Sequence, residues 1–118
     1  MTTIENRKSP RISSYNLLAY VCLDENNDPK RQGMGRTLNV SEGGILLETH
    51  APIDPQYIVS LTISLEDEIM DIKGKVVYNK ERDDGKSESG IQFIEVDESK
   101  IRVLKQYVVI FKDELDNQ

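Results

Sequence analysis

Two arginines, Arg7 and Arg11, stand four residues apart near the start of the chain with Lys8 between them, which places three cations within five residues. A guanidinium is the side chain best suited to phosphate and purine together. Its planar fork pairs bidentately with phosphate oxygens or with guanine O6 and N7, and its face stacks on the base. Such a cluster can capture a small dianion without an overall positive field. A second polar group follows in Thr37-Leu38-Asn39-Val40-Ser41-Glu42-Gly43-Gly44-Ile45-Leu46-Leu47-Glu48-Thr49, between apolar strand candidates. Asn39 and Ser41 offer short donors and acceptors from one corner. The paired glycines are expected to reach φ > 0 and to let a ligand approach the main chain. An ordinary hairpin turn uses the same residue types, because Asn and Gly tolerate the left-handed region and Ser bonds its own backbone. The corner alone leaves binding and plain turn both open.

No catalytic constellation accompanies these residues. Cys22 and His50 are the only residues of their kinds, fall in different elements and have no evident third partner. They are too few for a Cys/His metal site, and Cys22, set in an apolar strand pattern, reads as a small buried thiol. Glu66-Asp67-Glu68 reads as solvated turn charge rather than a cation site. No enzymatic activity, metal or cofactor is expected. The net charge of −6 argues against a general nucleic-acid binder, and 6% aromatic residues with no Trp argue against a single-strand stacking platform. No apolar run is long enough to insert in a membrane, and residues 1–6 lack the pattern of a signal peptide, so a cytoplasmic location is expected.

The elements that must position these groups fit one domain of 118 residues. Residues 1–14 have little periodicity and contain Pro10, and read as a mobile arm. Strand patterns follow at Asn16–Leu23, Gln32–Leu38, Gly44–Thr49, Tyr57–Leu65, Ile69–Tyr78 and Ser89–Val96. Both faces of the first are apolar. The fourth alternates most cleanly, and in the fifth Met70, Ile72, Val76 and Tyr78 are expected on one face. Six short strands with turn signals between them predict a small antiparallel β-barrel over residues 15–96, mainly β in class. Asp97 can cap a terminal helix over 97–116, with a stripe of Ile101, Leu104, Val108, Phe111 and Leu115. Packing on one mouth of its own barrel is the expected role of that stripe. Its 3,4,3,4 spacing also suits a homodimer or partner seam.

Taken together, the two polar groups resemble the signature of PilZ domains, receptors for the bacterial second messenger cyclic di-GMP: Arg-x-x-x-Arg near the start, then Asn/Asp-x-Ser-x-x-Gly. Arg7 and Arg11 fill the first half; Asn39, Ser41 and Gly44 fill the second. Gly90-Ile91-Gln92-Phe93 is similar to the Gly-x-x-Phe strand found later in the family, so the resemblance covers nearly the whole chain.

It implies a PilZ-like barrel and a non-enzymatic receptor whose ligand is cyclic di-GMP, in motility or biofilm regulation. Arg7 and Arg11 would wrap the ligand from the arm while Asn39 and Ser41 hydrogen-bond a guanine and its phosphate neighbourhood. Gly44, with Gly43, would hold the turn. Lys8 lies within the arginine motif and Asn6 directly precedes it, and the residue at the position of Asn6 bears on how many ligand molecules the family holds. Arg36, three positions before Asn39, stands close enough to reach the ligand, although an exposed strand arginine as often has no role. Tyr78 and Asn79 stand where family members often carry a basic residue, which removes a third arginine contact from the implied set. With no effector domain in the sequence, the signal would pass to a downstream protein. Two alternatives remain: a ligand-independent interaction module for motility or pilus assembly factors, a kind that commonly lacks the arginine motif, and an oligonucleotide-binding barrel.

Overall fold

Period-two alternation is strictest at Ile58–Ser64, where Val59, Leu61 and Ile63 are completely buried while Ser60 and Thr62 lie toward the outside. The computed structural model describes residues 17–66 and 68–116, and this segment is the fourth of six strands. They are β1 (Leu17–Leu23), β2 (Pro29–Val40), β3 (Gly44–Thr49), β4 (Ile58–Ser64), β5 (Ile69–Glu81) and β6 (Ser87–Ile94), followed by helix α1 (Glu98–Asp116). The expected arm, 1–14, and the start of the expected barrel lie outside the described residues. All pairings are antiparallel, and the order β1-β2-β3-β6-β5-β4 closes because β1 bonds both β2 and β4. Closure gives each of these six strands a partner on both sides over part of its length. The inward positions form one apolar core that includes Leu18, Cys22, Leu47, Ile72, Ile91 and Phe93.

Three strands outrun their apolar patterns. β2 begins at Pro29, β5 continues to Glu81 and β6 begins at Ser87. The start of β2 and the end of β5 are polar and exposed, with Lys80 opposite Glu88 and Glu81 opposite Ser87, whereas Ser87 itself is buried between β5 and β3. Polar stretches of this kind have no hydrophobic alternation to reveal them.

Two bulges set side-chain directions, and the one in β5 corrects an expected one. In β2 the register shifts between Thr37 and Asn39, so that Thr37 and Val40 both point inward and Asn39 outward. In β5 it shifts between Val76 and Tyr78. Tyr78, expected on the face of Ile72 and Val76, is turned out across from Gly90, where a Cβ would stand 2.8 Å from its ring. An extra residue on one strand reverses every direction beyond it.

The cap at Asp97 is as expected: its carboxylate accepts from the Lys100 N–H at 3.0 Å. The buried face of α1 is rotated from the apolar stripe and consists of Val103, Leu104, Tyr107 and Phe111, with Leu115 exposed. These four join the barrel core, so the helix packs on its own domain. Tyr107 accounts for the rotation. Its ring is buried and its hydroxyl shares a 2.8 Å hydrogen bond with Thr37 Oγ1 inside the barrel, a role that a count of purely apolar residues overlooks. Burial pushes the Tyr107 phenol above its ordinary pKa. Glu68 is more than solvated turn charge, since both of its oxygens bind the Arg102 guanidinium, at 2.8 and 2.9 Å, and tie the β4–β5 turn to the helix.

Removing one partner of the buried Thr37–Tyr107 bond should strand the other. Tyr107→Phe is expected to lower unfolding free energy by about 1–3 kcal/mol in urea titration, with part of the loss recovered when Thr37→Val is added.

Candidate ligand-binding site

The polar corner joins β2 to β3. Ser41 N–H donates to the Gly44 carbonyl at 2.9 Å, and Gly43 N–H donates to Ser41 Oγ at 3.2 Å, so the serine hydroxyl shapes its own turn. The Gly43 carbonyl accepts from Phe93 N–H at 3.0 Å and fastens the corner to β6. Neither Gly43 nor Gly44 has positive φ; among the described residues the one glycine that does is Gly85, in the β5–β6 turn. The expectation of φ > 0 is therefore corrected. Gly44 answers a different need, because a Cβ there would lie 2.5 Å from the Ile91 carbonyl oxygen, whereas one on Gly43 would meet nothing closer than Ser41 Oγ at 4.0 Å.

Beside the corner lies a shallow recess of about 420 Å³. Its outward-facing cross-strand row is Asn39, Leu46, Gly90 and then Tyr78, read across β2, β3, β6 and β5. Asn39, Ser41, Gly43 and Gly44 all line it, as do Leu46, Val77, Gly90 and Gln92. The Asn39 Oδ1 accepts from the Val40 N–H at 2.9 Å, which leaves the amide Nδ2 as the group to donate outward. Among the described residues no charged side chain lines the recess.

The structure thus brings Asn39, Ser41, Gly43 and Gly44 together. It sets Arg36 one outward row away, bonded through Nε and Nη2 to Glu48 at 3.1 and 3.3 Å. Asn6, Lys8, Arg7 and Arg11 lie outside the described residues. Sequence reasoning missed Leu46, Val77 and Gln92 as lining residues. Gly90 and Gln92 sit in the noted Gly-x-x-Phe segment, and Val77 faces outward by simple alternation from the buried Val76.

The PilZ domain profile matches residues 5–109 of the sequence. The chain belongs to the PilZ domain family. Among curated proteins, none matches the sequence. Solved structures with the same fold include the PilZ domain with c-di-GMP of YcgR from Escherichia coli, at 10% identity and a TM-score of 0.59 over 85% of this chain and 86% of that one. The PilZ domain of CeSA from a cellulose-synthesizing bacterium matches at 13% identity and 0.57, over 88% and 99%. MrkH of K. pneumonia in its apo state matches at 16% and 0.60, over 97% of this chain and 55% of that one, so this PilZ domain spans about half of MrkH.

A larger cavity of this PilZ domain, about 670 Å³, lies elsewhere, between Tyr20, Arg31 and the 50–55 segment. Cys22 and His50, from different elements, both line it. The Cys22 thiol is almost wholly buried, and burial raises its pKa. That is the reverse of an activated nucleophile. Among the described residues there is no acidic, His and Cys cluster able to hold a metal ion, and no helix is long and apolar enough to cross a membrane.

Gly44→Ala is expected to destabilise the domain by about 1–3 kcal/mol through its clash with the β6 backbone, and Gly43→Ala to change little, as read from thermal melts. Acid should act on the carboxylates. Hydrogen bonding to Arg36 holds Glu48 below its ordinary 4.5, and Arg82 holds Asp84 down at about 2. Groups with depressed folded pKa stabilise above their unfolded values and lose that contribution as pH falls through the folded ones. The melting temperature should hold from neutrality to about pH 5 and then fall toward about pH 2. In Glu48→Gln that acid fall should be shallower.

Proposed function

We propose that this chain is a non-enzymatic receptor for cyclic di-GMP, held between the segment bearing Arg7 and Arg11 and the recess beside Asn39 and Ser41. The observation that carries this reading is the chemistry of the recess. It joins the motif residues Asn39, Ser41 and Gly44 to an uncharged, partly apolar floor at Leu46, Val77 and Gly90. Such a floor suits the face of a purine and provides nothing to neutralise phosphates. A ligand with two guanines and two phosphates therefore needs cations from outside the recess, and the arginine motif supplies them.

Chain geometry permits it. Leu17 pairs with Arg36, three positions from Asn39 on β2, or about 10 Å along the strand. The six steps from Leu17 back to Arg11 span up to about 20 Å. Arg11 can thus be carried to the recess with chain to spare. In this reading Asn39 Nδ2 donates to the ligand, Ser41 contacts its phosphate neighbourhood, and Gly44 keeps β3 tight against β6. The YcgR domain, which shares this fold, has been solved with c-di-GMP, and its recorded ligand supports the class of molecule proposed. Bridging of the 1–16 segment to the barrel alters the surface offered to a downstream protein. The ligand-independent interaction module has one observation in its favour, the exposed Val109, Ile110 and Leu115 on α1. Titration separates the two.

In calorimetry, saturable binding of cyclic di-GMP is expected, abolished by Arg11→Ala and weakened by Ser41→Ala. No heat and no rise in melting temperature at saturating nucleotide would leave the interaction module as the function. Amide hydrogen exchange through residues 5–14 should slow on ligand addition; unchanged exchange alongside normal binding would remove the bridging mechanism.

A further inference from the structure

Next to the row of Asn39, Leu46 and Gly90, the same outer face of β2, β3 and β6 carries a second row. Arg36, Glu48 and Glu88 stand directly opposite one another in register. The Glu48 carboxylate is nearly buried, at 7% exposure, beneath the cations that bind it. Besides the two bonds from Arg36, Nη1 of Arg82 lies 2.6 Å from its Oε2 and Lys86 Nζ 3.9 Å from its Oε1. The two guanidiniums are not equivalent. Arg82 is tied to Glu48, Asp84 and Glu88, and these bonds raise its pKa. Among the described residues Arg36 has Glu48 alone, and its side chain is 48% exposed. Glu48 occupies the Nε–Nη2 edge of the Arg36 fork, which leaves the terminal Nη1–Nη2 edge without a partner among the described residues.

We propose that Arg36 reads the base of the ligand: Glu48 grips one edge of its fork, and the terminal edge donates to O6 and N7 of one guanine of bound cyclic di-GMP. The proposal rests on the receptor reading above. Charge selects the acceptor. Arg36, Arg82 and Lys86 are matched by Glu48, Asp84 and Glu88, so the row has no net positive field to draw a phosphate. A compensated guanidinium still presents polarised N–H groups in a fixed fork, which match the neutral O6/N7 edge of guanine. Adenine would set its N6 amino donor against that fork. Glu48 touches no ligand and is a positioning residue, acting through Arg36. Arg82 keeps Glu48 paired throughout, so recruitment of Arg36 does not strand a buried carboxylate.

The test is titration of the full chain with cyclic di-GMP and with cyclic di-AMP, for the wild type, Arg36→Ala, Glu48→Gln and the double variant. Arg36→Ala should weaken cyclic di-GMP about 10-fold or more and leave cyclic di-AMP nearly unchanged, so that discrimination collapses. The slope of log affinity against log salt should not change, because no phosphate contact is lost. Glu48→Gln should weaken cyclic di-GMP several-fold in the wild-type background and have no effect in the Arg36→Ala background, which a merely structural role would not produce. Arg36→Lys keeps the charge and the stem should the alanine variant fail to fold, and it should lose discrimination equally.

Unchanged discrimination in Arg36→Ala or Arg36→Lys, with Arg11→Ala still abolishing binding, would overturn this proposal and leave the receptor reading standing. A salt slope reduced by about one would also overturn it, marking a phosphate contact instead. Silence of the wild type toward both nucleotides would overturn the receptor reading and this proposal together.

Discussion

The recess exists because two strands slip register on the same cross-strand row. Leu38 in β2 and Val77 in β5 are the extra residues, and between them β3 and β6 run in unbroken register from Gly44–Gln92 to Thr49–Ser87. A closed six-stranded barrel must point alternate side chains inward without exception, which leaves no freedom to turn a chosen residue outward. A bulge restores that freedom locally. The β2 bulge directs Asn39 to the surface while returning Val40 to the core, and the β5 bulge turns Tyr78 out against Gly90. What lies between is a floor of Leu46 and Gly90 with polar groups along one side.

The same outer face divides its charge by position. A chain of net charge −6 carries a neutral recess, and the adjoining row concentrates three cations and three carboxylates into a matched set. Burying one carboxylate there is tolerable only because two guanidiniums satisfy both of its oxygens. Exposed pairs such as Lys30–Asp24, with no such burial, add little by comparison. In the proposed receptor reading, selectivity toward an anionic ligand would fall to shaped donors and to the arginine motif rather than to the overall field.

Much of the barrel was legible because its signals are local. Val59, Leu61 and Ile63 alternate in the sequence as they do in the strand, and Asp97 caps the helix it precedes. The corner was legible too, since Asn39, Ser41 and Gly44 lie within six residues and converge on one recess. What escaped depends on partners distant in sequence. The outward turn of Tyr78 needs the bulge opposite Gly90, and the buried face of α1 is set by Tyr107 reaching Thr37, seventy residues away. Gly44 was singled out for the wrong reason: the constraint is the Ile91 carbonyl of a strand that pairs with it, not its own dihedral. For Arg36 the sequence left ligand contact and no role both open, because it does not reveal that Glu48 faces it.

Thr37 links these levels. It is the last residue before the β2 bulge, it points inward, and its hydroxyl is bonded to the helix through Tyr107. Its neighbour Arg36 points the other way, into the Glu48 row. A slip of β2 by one residue would exchange these two, placing a guanidinium in the core and a threonine against Glu48. Each misplacement would cost a buried unpaired group, several kcal/mol for the charge alone. The helix contact inside and the ion pairs outside therefore enforce the same register from opposite faces, and that register places Asn39 at the recess.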